Sequence, residues 1–361
     1  MTPVIKRLGF AGLSALNLEW LKKISPINVI SPFHHLVADE PVPHIDKLYP
    51  YKNSRQFESD LDYFLKNFRP LSLEEVIRQA KTGRPFDKPG FLICFDDGLR
   101  QVYETAAPIL LRKGVPAAFF LNSAFVDNKD IFYNFKKGLI LDKFDRSPID
   151  EKIIKEAGAL LEKKFTSKQE LHASIRSINY LNRHLMEGLG QLFQLDFETF
   201  RKEQRPFMTT PEIKELIAKG FAIGSHSIDH PLYALLPLEE QVRQTRESTD
   251  WTIRTFGLPY KAFAFPHIDT GVGNAFFEEF VGSPPSETGR SSETGDRPQI
   301  SGSPEMDLLL GNSTGMLEKH PRVLHRFIGE NPAIPIDTMV KSVLAYGAVR
   351  SKIGRQFVRR D

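Results

Sequence analysis

Residues 90–98, GFLICFDDG, decide how the rest of the chain is read. The first six are a continuous apolar run with no polar alternation. Such a run suits a strand buried on both faces, as in a parallel sheet. It ends abruptly in Asp96, Asp97 and Gly98, a turn composition. A helical stretch then reaches about Lys113 and stops at Gly114, a residue suited to a left-handed cap. Residues 115–122, VPAAFFLN, form the next apolar run. Strand, helix and strand at this spacing make a βαβ unit.

Working upstream, residues 27–33 (INVISPF) read as a strand running into a loop with His34 and His35. Residues 56–68 carry Phe57, Leu61, Phe64, Leu65 and Phe68 at helical spacing. Ser72 and Glu75 make a capping-box pattern that opens a second helix. Downstream, residues from about 126 to 208 are rich in Lys, Glu, Leu and Phe with few strand signals, and read as a helical insertion. Strand and helix alternation resumes near Thr210, a plausible cap before Pro211. Residues 221–225 (FAIGS) deliver His226, a long helix spans 238–256, and residues 261–265 (KAFAF) end at Pro266 and His267. Residues 282–304 are dense in Gly, Ser, Pro and charge and read as a flexible loop. The alternation calls for a barrel of parallel strands.

The chain has 361 residues, 41% hydrophobic and 26% charged, with a net charge of +3. That length allows one barrel-sized domain with insertions. The near balance of charge, with no basic block, gives no footing for nucleic acid. Cys94 stands alone, so no intrachain disulfide is available. Residues 1–25 read as an amphipathic helix, with Leu13, Leu16, Trp20 and Ile24 on one stripe. It suits packing on its own domain, with peripheral membrane contact as the alternative. It is neither a signal peptide nor a membrane span, and a cytoplasmic location is the expectation. Oligomeric state is not legible.

Three chemistry-bearing clusters fall at the C-terminal ends of expected parallel strands, the edge where α/β folds place their sites. They are Asp96-Asp97, His226-Ser227-Ile228-Asp229-His230, and Pro266-His267-Ile268-Asp269. Adjacent buried carboxylates are costly unless something uses their charge, and a divalent cation would. His226 and His230 are four apart, so one turn or tight loop aims both at one point, and Pro231 favours the loop. Two imidazoles and a carboxylate make a facial metal site with open positions.

Cys94-Phe95-Asp96-Asp97-Gly98 resembles the first motif of the polysaccharide deacetylases, the NodB-homology group. His226-Ser227-Ile228-Asp229-His230 resembles their second, and residues 215–225 resemble its lead-in. The resemblance spans roughly 25–125 and 207–330. It implies a distorted (β/α) barrel with fewer than eight strands. Asp97, His226 and His230 would hold the metal, with zinc the first expectation and cobalt, manganese or nickel alternatives. Asp96 would be the catalytic base, taking a proton from water as it attacks the amide. The implied substrate is an N-acetylated sugar, glycan or glycan precursor.

Departures from the family pattern surround that centre. The third motif often carries an arginine that orients the base. Here Ala264-Phe265-Pro266-His267-Ile268-Asp269 has none, resembling a branch with an aromatic-Pro motif. Pro266, His267 and Asp269 are then expected against the substrate, with His267 or Asp269 available to orient the base. Val323-Leu324-His325 is the best match to the motif that supplies a general acid, with His320 as competitor. His35 is expected at the site floor, binding substrate or bracing a ligand. The rival readings are a non-haem iron oxygenase, a non-catalytic glycan- or partner-binding member, and a hydrolase of a non-sugar amide. The insertion, leaving a strand's C-terminal end, would overhang the cleft.

Overall fold

The computed structural model describes residues 12–13, 15–282, 305–355 and 357–358. The loop expected at 282–304 lies, but for Gly282, outside the described residues, as does the start of the N-terminal helix.

Among the described residues eleven strands are formed: β1 (Val29–Ile30), β2 (Pro32–His34), β3 (Arg69–Pro70), β4 (Gly90–Phe91), β5 (Ile93–Phe95), β6 (Ala117–Leu121), β7 (Ala222–Ser225), β8 (Ala262–Ala264), β9 (Leu308–Gly311), β10 (Val323–His325) and β11 (Phe327–Ile328). Eight make one sheet in the order β10-β9-β8-β7-β6-β5-β2-β11, and β1, β4 and β3 make a second. Every pairing in the larger sheet is parallel.

The sheet thus has eight strands where fewer than eight were expected. The reason lies at Arg326. Its backbone N–H donates to Gly311 of β9, and the next N–H, of Phe327, donates to Ser31 beside β2. One extended segment, 323–328, therefore changes partner at Arg326, counts as two strands, and joins the two edges of the sheet.

Alternation along the strands sorts the side chains. Leu92, Cys94, Ala118, Phe120, Ala222, Ala264 and Leu310 fall in one buried cluster, while Ile93, Phe95, Phe119, Leu121 and Ile223 fall in another. That is the inward and outward division of a closed parallel sheet, and the alanines suit a narrow interior.

Local signals set the helices around this ring. Ser72 and Glu75 form the capping box that starts the helix Leu73–Thr82. Gly114 and Gly257, both left-handed, end the helices Ala107–Lys113 and Leu238–Phe256. The cap expected at Thr210 is Thr209, one residue earlier, because Glu212 closes a capping box on it. Between β6 and β7 stand the helices Tyr133–Arg146, Glu151–Leu160, Lys168–Ser177, Leu185–Leu192 and Phe197–Gln204. The N-terminal helix Leu18–Ile24 buries Leu21 and ties back to the domain by Lys22, which donates to the Asn67 carbonyl at 2.6 Å. Trp20 is exposed. No helix among the described residues is long and apolar enough to cross a membrane.

Candidate active site and metal centre

β5 carries Asp96 and Asp97 off its end. The short loop after β7 carries His226, Ser227, Asp229 and His230. Asp97, Ser227, His230 and His267 all hold φ between 56° and 70°, left-handed backbone that side chains other than glycine seldom adopt. Such strain persists only where the surroundings enforce it. Here the Ser227 hydroxyl accepts the His230 N–H at 3.0 Å, and Asn122 donates to the His226 carbonyl.

The enforced turns bring three ligand atoms together. His230 Nε2 lies 3.1 Å and His226 Nε2 3.5 Å from Asp97 Oδ1. His226 Nδ1 donates to the Ala264 carbonyl at 2.8 Å, which leaves the Nε2 lone pair facing the carboxylate. All three groups are buried, and none of these three atoms has a hydrogen-bond partner among the described residues. Buried polar atoms left unpaired cost free energy, so three converging on one point mark a missing common partner. Asp97, His226 and His230 can hold one metal ion, with one donor atom from each within 4.8 Å of the others. Burial pushes the His226 imidazole down to about 4, so it is a neutral donor at physiological pH.

Asp96 is held differently. Arg326, fully buried, donates Nη1 to Asp96 Oδ1 at 2.7 Å and Nη2 to Oδ2 at 2.8 Å, a bidentate fork. Nε reaches Asn312 Oδ1 at 3.3 Å, and the guanidinium lies over the Phe33 ring at 4.6 Å. Burial works to raise the Asp96 carboxyl, but the charge and hydrogen bonds of Arg326, with His226 and His35 beside them, together keep the group below the usual carboxylate range. An arginine held against Asp96, looked for in the third motif, thus comes from segment 323–328 instead. Its signal in the sequence was an arginine inside the apolar run Val323-Leu324-His325-Arg326-Phe327-Ile328, where a buried charge has to find a partner.

His325 is not brought to this centre. Strand alternation turns it away from Arg326, to the outer side. There its Nδ1 accepts the Ser313 N–H at 3.2 Å, and it lies 3.9 Å from Asp269 and 3.7 Å from Glu318. The expected acid role is not supported by that placement. His320 is also elsewhere, with its Nδ1 on the Gly282 carbonyl and its ring against Phe277. Asp269 accepts the Asn312 N–H at 2.7 Å, and Asn312 donates to the His267 carbonyl at 2.6 Å. Asp269 is fully buried, so it braces the rim through Asn312 rather than facing a substrate. Pro266 is buried beside it, and His267 is exposed with its ring 4.4 Å from that of His230.

His35 follows β2, where the His34 carbonyl accepts the Asp96 N–H at 2.9 Å. The N–H and Nδ1 of His35 meet the Glu330 carboxylate at 2.8 and 2.7 Å. Burial works to lower it, yet Glu330 prevails and raises it to about 10, so His35 is a cation at neutral pH. Tyr49, which carried no signal in the sequence, lays its ring 4.8 Å from that of His35. Asp229 faces outward, accepting from Tyr180 of the insertion at 2.8 Å and from Gln244 at 2.8 Å. A groove of about 820 Å³ opens beside the rim, lined by Ile268, Asn312, Phe327, Met339 and Tyr346 among others.

A family model described as polysaccharide deacetylase matches residues 83–271, more than half of the chain. The chain belongs to the polysaccharide deacetylase family. By that membership it is a hydrolase of acetyl amide bonds. Among solved structures, the Streptococcus pyogenes deacetylase PplD in complex with acetate is similar at 13% identity, covering 87% of this chain and 97% of that one, with a TM-score of 0.52. IcaB from Ammonifex degensii is similar at 15% identity, covering 90% and 98%, with a TM-score of 0.47. BC0361, a polysaccharide deacetylase from Bacillus cereus, is similar at 11% identity, covering 87% and 68%, with a TM-score of 0.48. No curated protein matches the sequence. The likeness to the first of these structures confirms the barrel fold.

Proposed function

We propose that this deacetylase is metal-dependent, acts on N-acetylated sugars of a glycan or glycan precursor, and uses Asp96 as its base. The observation that carries the reading is the pairing of three unpartnered ligand atoms, on Asp97, His226 and His230, with a separate, arginine-held carboxylate beside them. Asp96 Oδ2 is 3.9 Å from His226 Nε2, so the base borders the metal position without sharing its ligand set.

A carboxylate kept below its usual range is a weak base. It can deprotonate water only where water is itself acidified, and a divalent ion, zinc first among candidates, supplies that acidification and polarises the acyl oxygen. Arg326 fixes the Asp96 plane and takes one lone pair from each oxygen, leaving a second free for a proton. Asp96 accepts the proton of the attacking water as the carbon–oxygen bond forms. With His325 turned outward, the same proton passes to the departing nitrogen as the carbon–nitrogen bond breaks, so acetate and a free amine result and Asp96 is regenerated. His267 stands at the exposed rim, where it contacts the sugar, and His35, paired with Glu330, braces the floor.

The groove running past Asn312 accommodates the rest of a glycan, since its mixed lining of amides, hydroxyls and aromatic rings suits sugar faces and edges. The exposed Trp20 keeps peripheral contact with a membrane open as part of the proposal, and a cytoplasmic site of action goes with it.

The test is acetate release from a panel of N-acetylated glycans, after chelation and after metal add-back. Activity should vanish with the chelator and return with the metal. Asp96→Asn should bind the metal with unchanged stoichiometry and lose about 10³-fold in kcat/KM. Full activity in that variant would remove Asp96 as base, and activity indifferent to chelation would remove the metal.

A further inference from the structure

The Tyr49 hydroxyl is buried and has no hydrogen-bond partner among the described residues. A phenol normally finds a partner when it is buried. Its surroundings are charged rather than apolar. The ring lies against His35, which carries the Glu330 ion pair, and the carboxylates acting on the hydroxyl are, in order, Asp97, Glu330 and Asp96. Burial first, and those carboxylates second, hold the phenol well above its usual value, so it keeps its proton at every pH at which the enzyme works. A phenol that keeps its proton, lying on the ring of His35 next to the residue whose carbonyl accepts the Asp96 N–H, is equipped to meet negative charge that appears only during reaction.

The loop that carries Tyr49 is not free to choose its place. Arg176, in the insertion helix Lys168–Ser177, donates Nη2 to the Lys47 carbonyl at 2.7 Å. Lys47 Nζ reaches Asp145, in the insertion helix Tyr133–Arg146, at 2.7 Å. Tyr51 donates to Asp46 at 2.5 Å and closes the loop on itself. Two helices of the insertion thus grip the chain two residues from Tyr49.

Resting on the deacetylase reading, we infer that Tyr49 donates its hydroxyl hydrogen bond to the acyl oxygen of the substrate as that oxygen gathers charge, and that the insertion positions Tyr49 through Lys47. Tyr49 is then a catalytic residue, and Arg176 a positioning residue. No bond to Tyr49 forms or breaks, and its proton stays on the phenol.

Tyr49→Phe keeps the ring and removes only the donor. In the metal-loaded full chain it should lower kcat about tenfold to a hundredfold with KM nearly unchanged, as loss of one oxyanion donor does. Methylphosphonate, a tetrahedral anion with the shape of hydrated acetate, should bind the variant about tenfold more weakly in calorimetry, while metal affinity and melting temperature stay at wild-type values. Arg176→Ala should lower kcat in the wild-type background and change little in the Tyr49→Phe background. Equal methylphosphonate affinity and equal kcat in Tyr49→Phe would overturn the assignment, and additive effects of the two substitutions would overturn the positioning by the insertion. A wild-type protein that hydrolyses no acetamide in the panel would instead overturn the functional reading beneath it.

Discussion

Left-handed backbone occurs in two regions of this molecule for opposite reasons. In the insertion it falls at Asp127 and Asn128, in the short turn that opens it, and at Glu162, Gln194 and Arg205, each just past a helix, where it ends the helix. At the strand ends it falls at Asp97, Ser227, His230 and His267, where it ends nothing and aims side chains. The polar groups differ in the same way. The insertion's polar links to the barrel side, such as Tyr180 to Asp229 and Arg176 to the Lys47 carbonyl, are part-buried or exposed. At the strand ends Asp96, Asp97, His226 and His230 are buried outright, and four of their atoms, Asp97 Oδ1, His226 Nε2 and both ring nitrogens of His230, have no hydrogen-bond partner among the described residues. One region spends its irregular backbone on folding and the other on chemistry, so substitutions should hurt stability in the first and turnover in the second.

The sharpest break of that comparison is Arg326→Lys. Lysine keeps the charge and loses the planar fork that meets both Asp96 oxygens. A fall of about a hundredfold in kcat/KM is expected, since the base would keep its place in the sequence and lose its orientation. The acidic limb of the pH profile should move upward, because an ammonium without the two-point fork no longer holds the Asp96 carboxyl so far down. Metal stoichiometry should stay at the wild-type value. A wild-type pH profile in this variant would mean that Arg326 is there for packing alone.

Much of the centre was legible because its signals are local. An apolar run ending in two carboxylates, and two histidines four apart after a second run, need no knowledge of the rest of the chain. The order of strands and helices followed from the same alternation. Arg326 was missed because its partner lies 230 residues away, and the pairing exists only once segment 323–328 joins the two edges of the sheet. The same alternation that points Arg326 inward turns His325 outward, so reading the two together would have corrected the acid assignment. Tyr49 was beyond reach altogether. Nothing in the residues around it marks a site, and its position comes from helices about a hundred residues further along the chain.

A second substitution separates the regions by pH. His35 is raised to about 10 in the folded protein against an ordinary value near 6.5, so the Glu330 pair adds stability that is complete below about pH 6.5 and is lost as pH rises toward 10. Glu330→Gln should cost about 2 kcal/mol at pH 6, where it leaves a buried cation or forces His35 neutral. Melting curves of the metal-free protein should show the gap between wild type and variant closing from pH 7 to pH 10. A gap that stays constant across that range would remove the charged pair as its source.

The insertion should answer with a smaller, pH-independent effect. Burial, with Asp229 beside it, keeps the Tyr180 phenol protonated far above neutrality, and its hydrogen bond to Asp229 does not titrate between pH 6 and 9. Tyr180→Phe deletes that bond and nothing of the ring, including its stacking under the Arg183 guanidinium at 3.8 Å. A loss of about 1 kcal/mol is expected, the usual net worth of one such bond. It should appear as faster amide exchange in the helices from 133 to 204, with the barrel strands unchanged. Because Asp229 keeps Gln244 as a second donor, His226 and His230 should stay in place and metal affinity should not move. A drop in metal affinity would mean that the insertion orders the ligand loop itself, and that the two regions are one cooperative unit rather than a scaffold and a clamp.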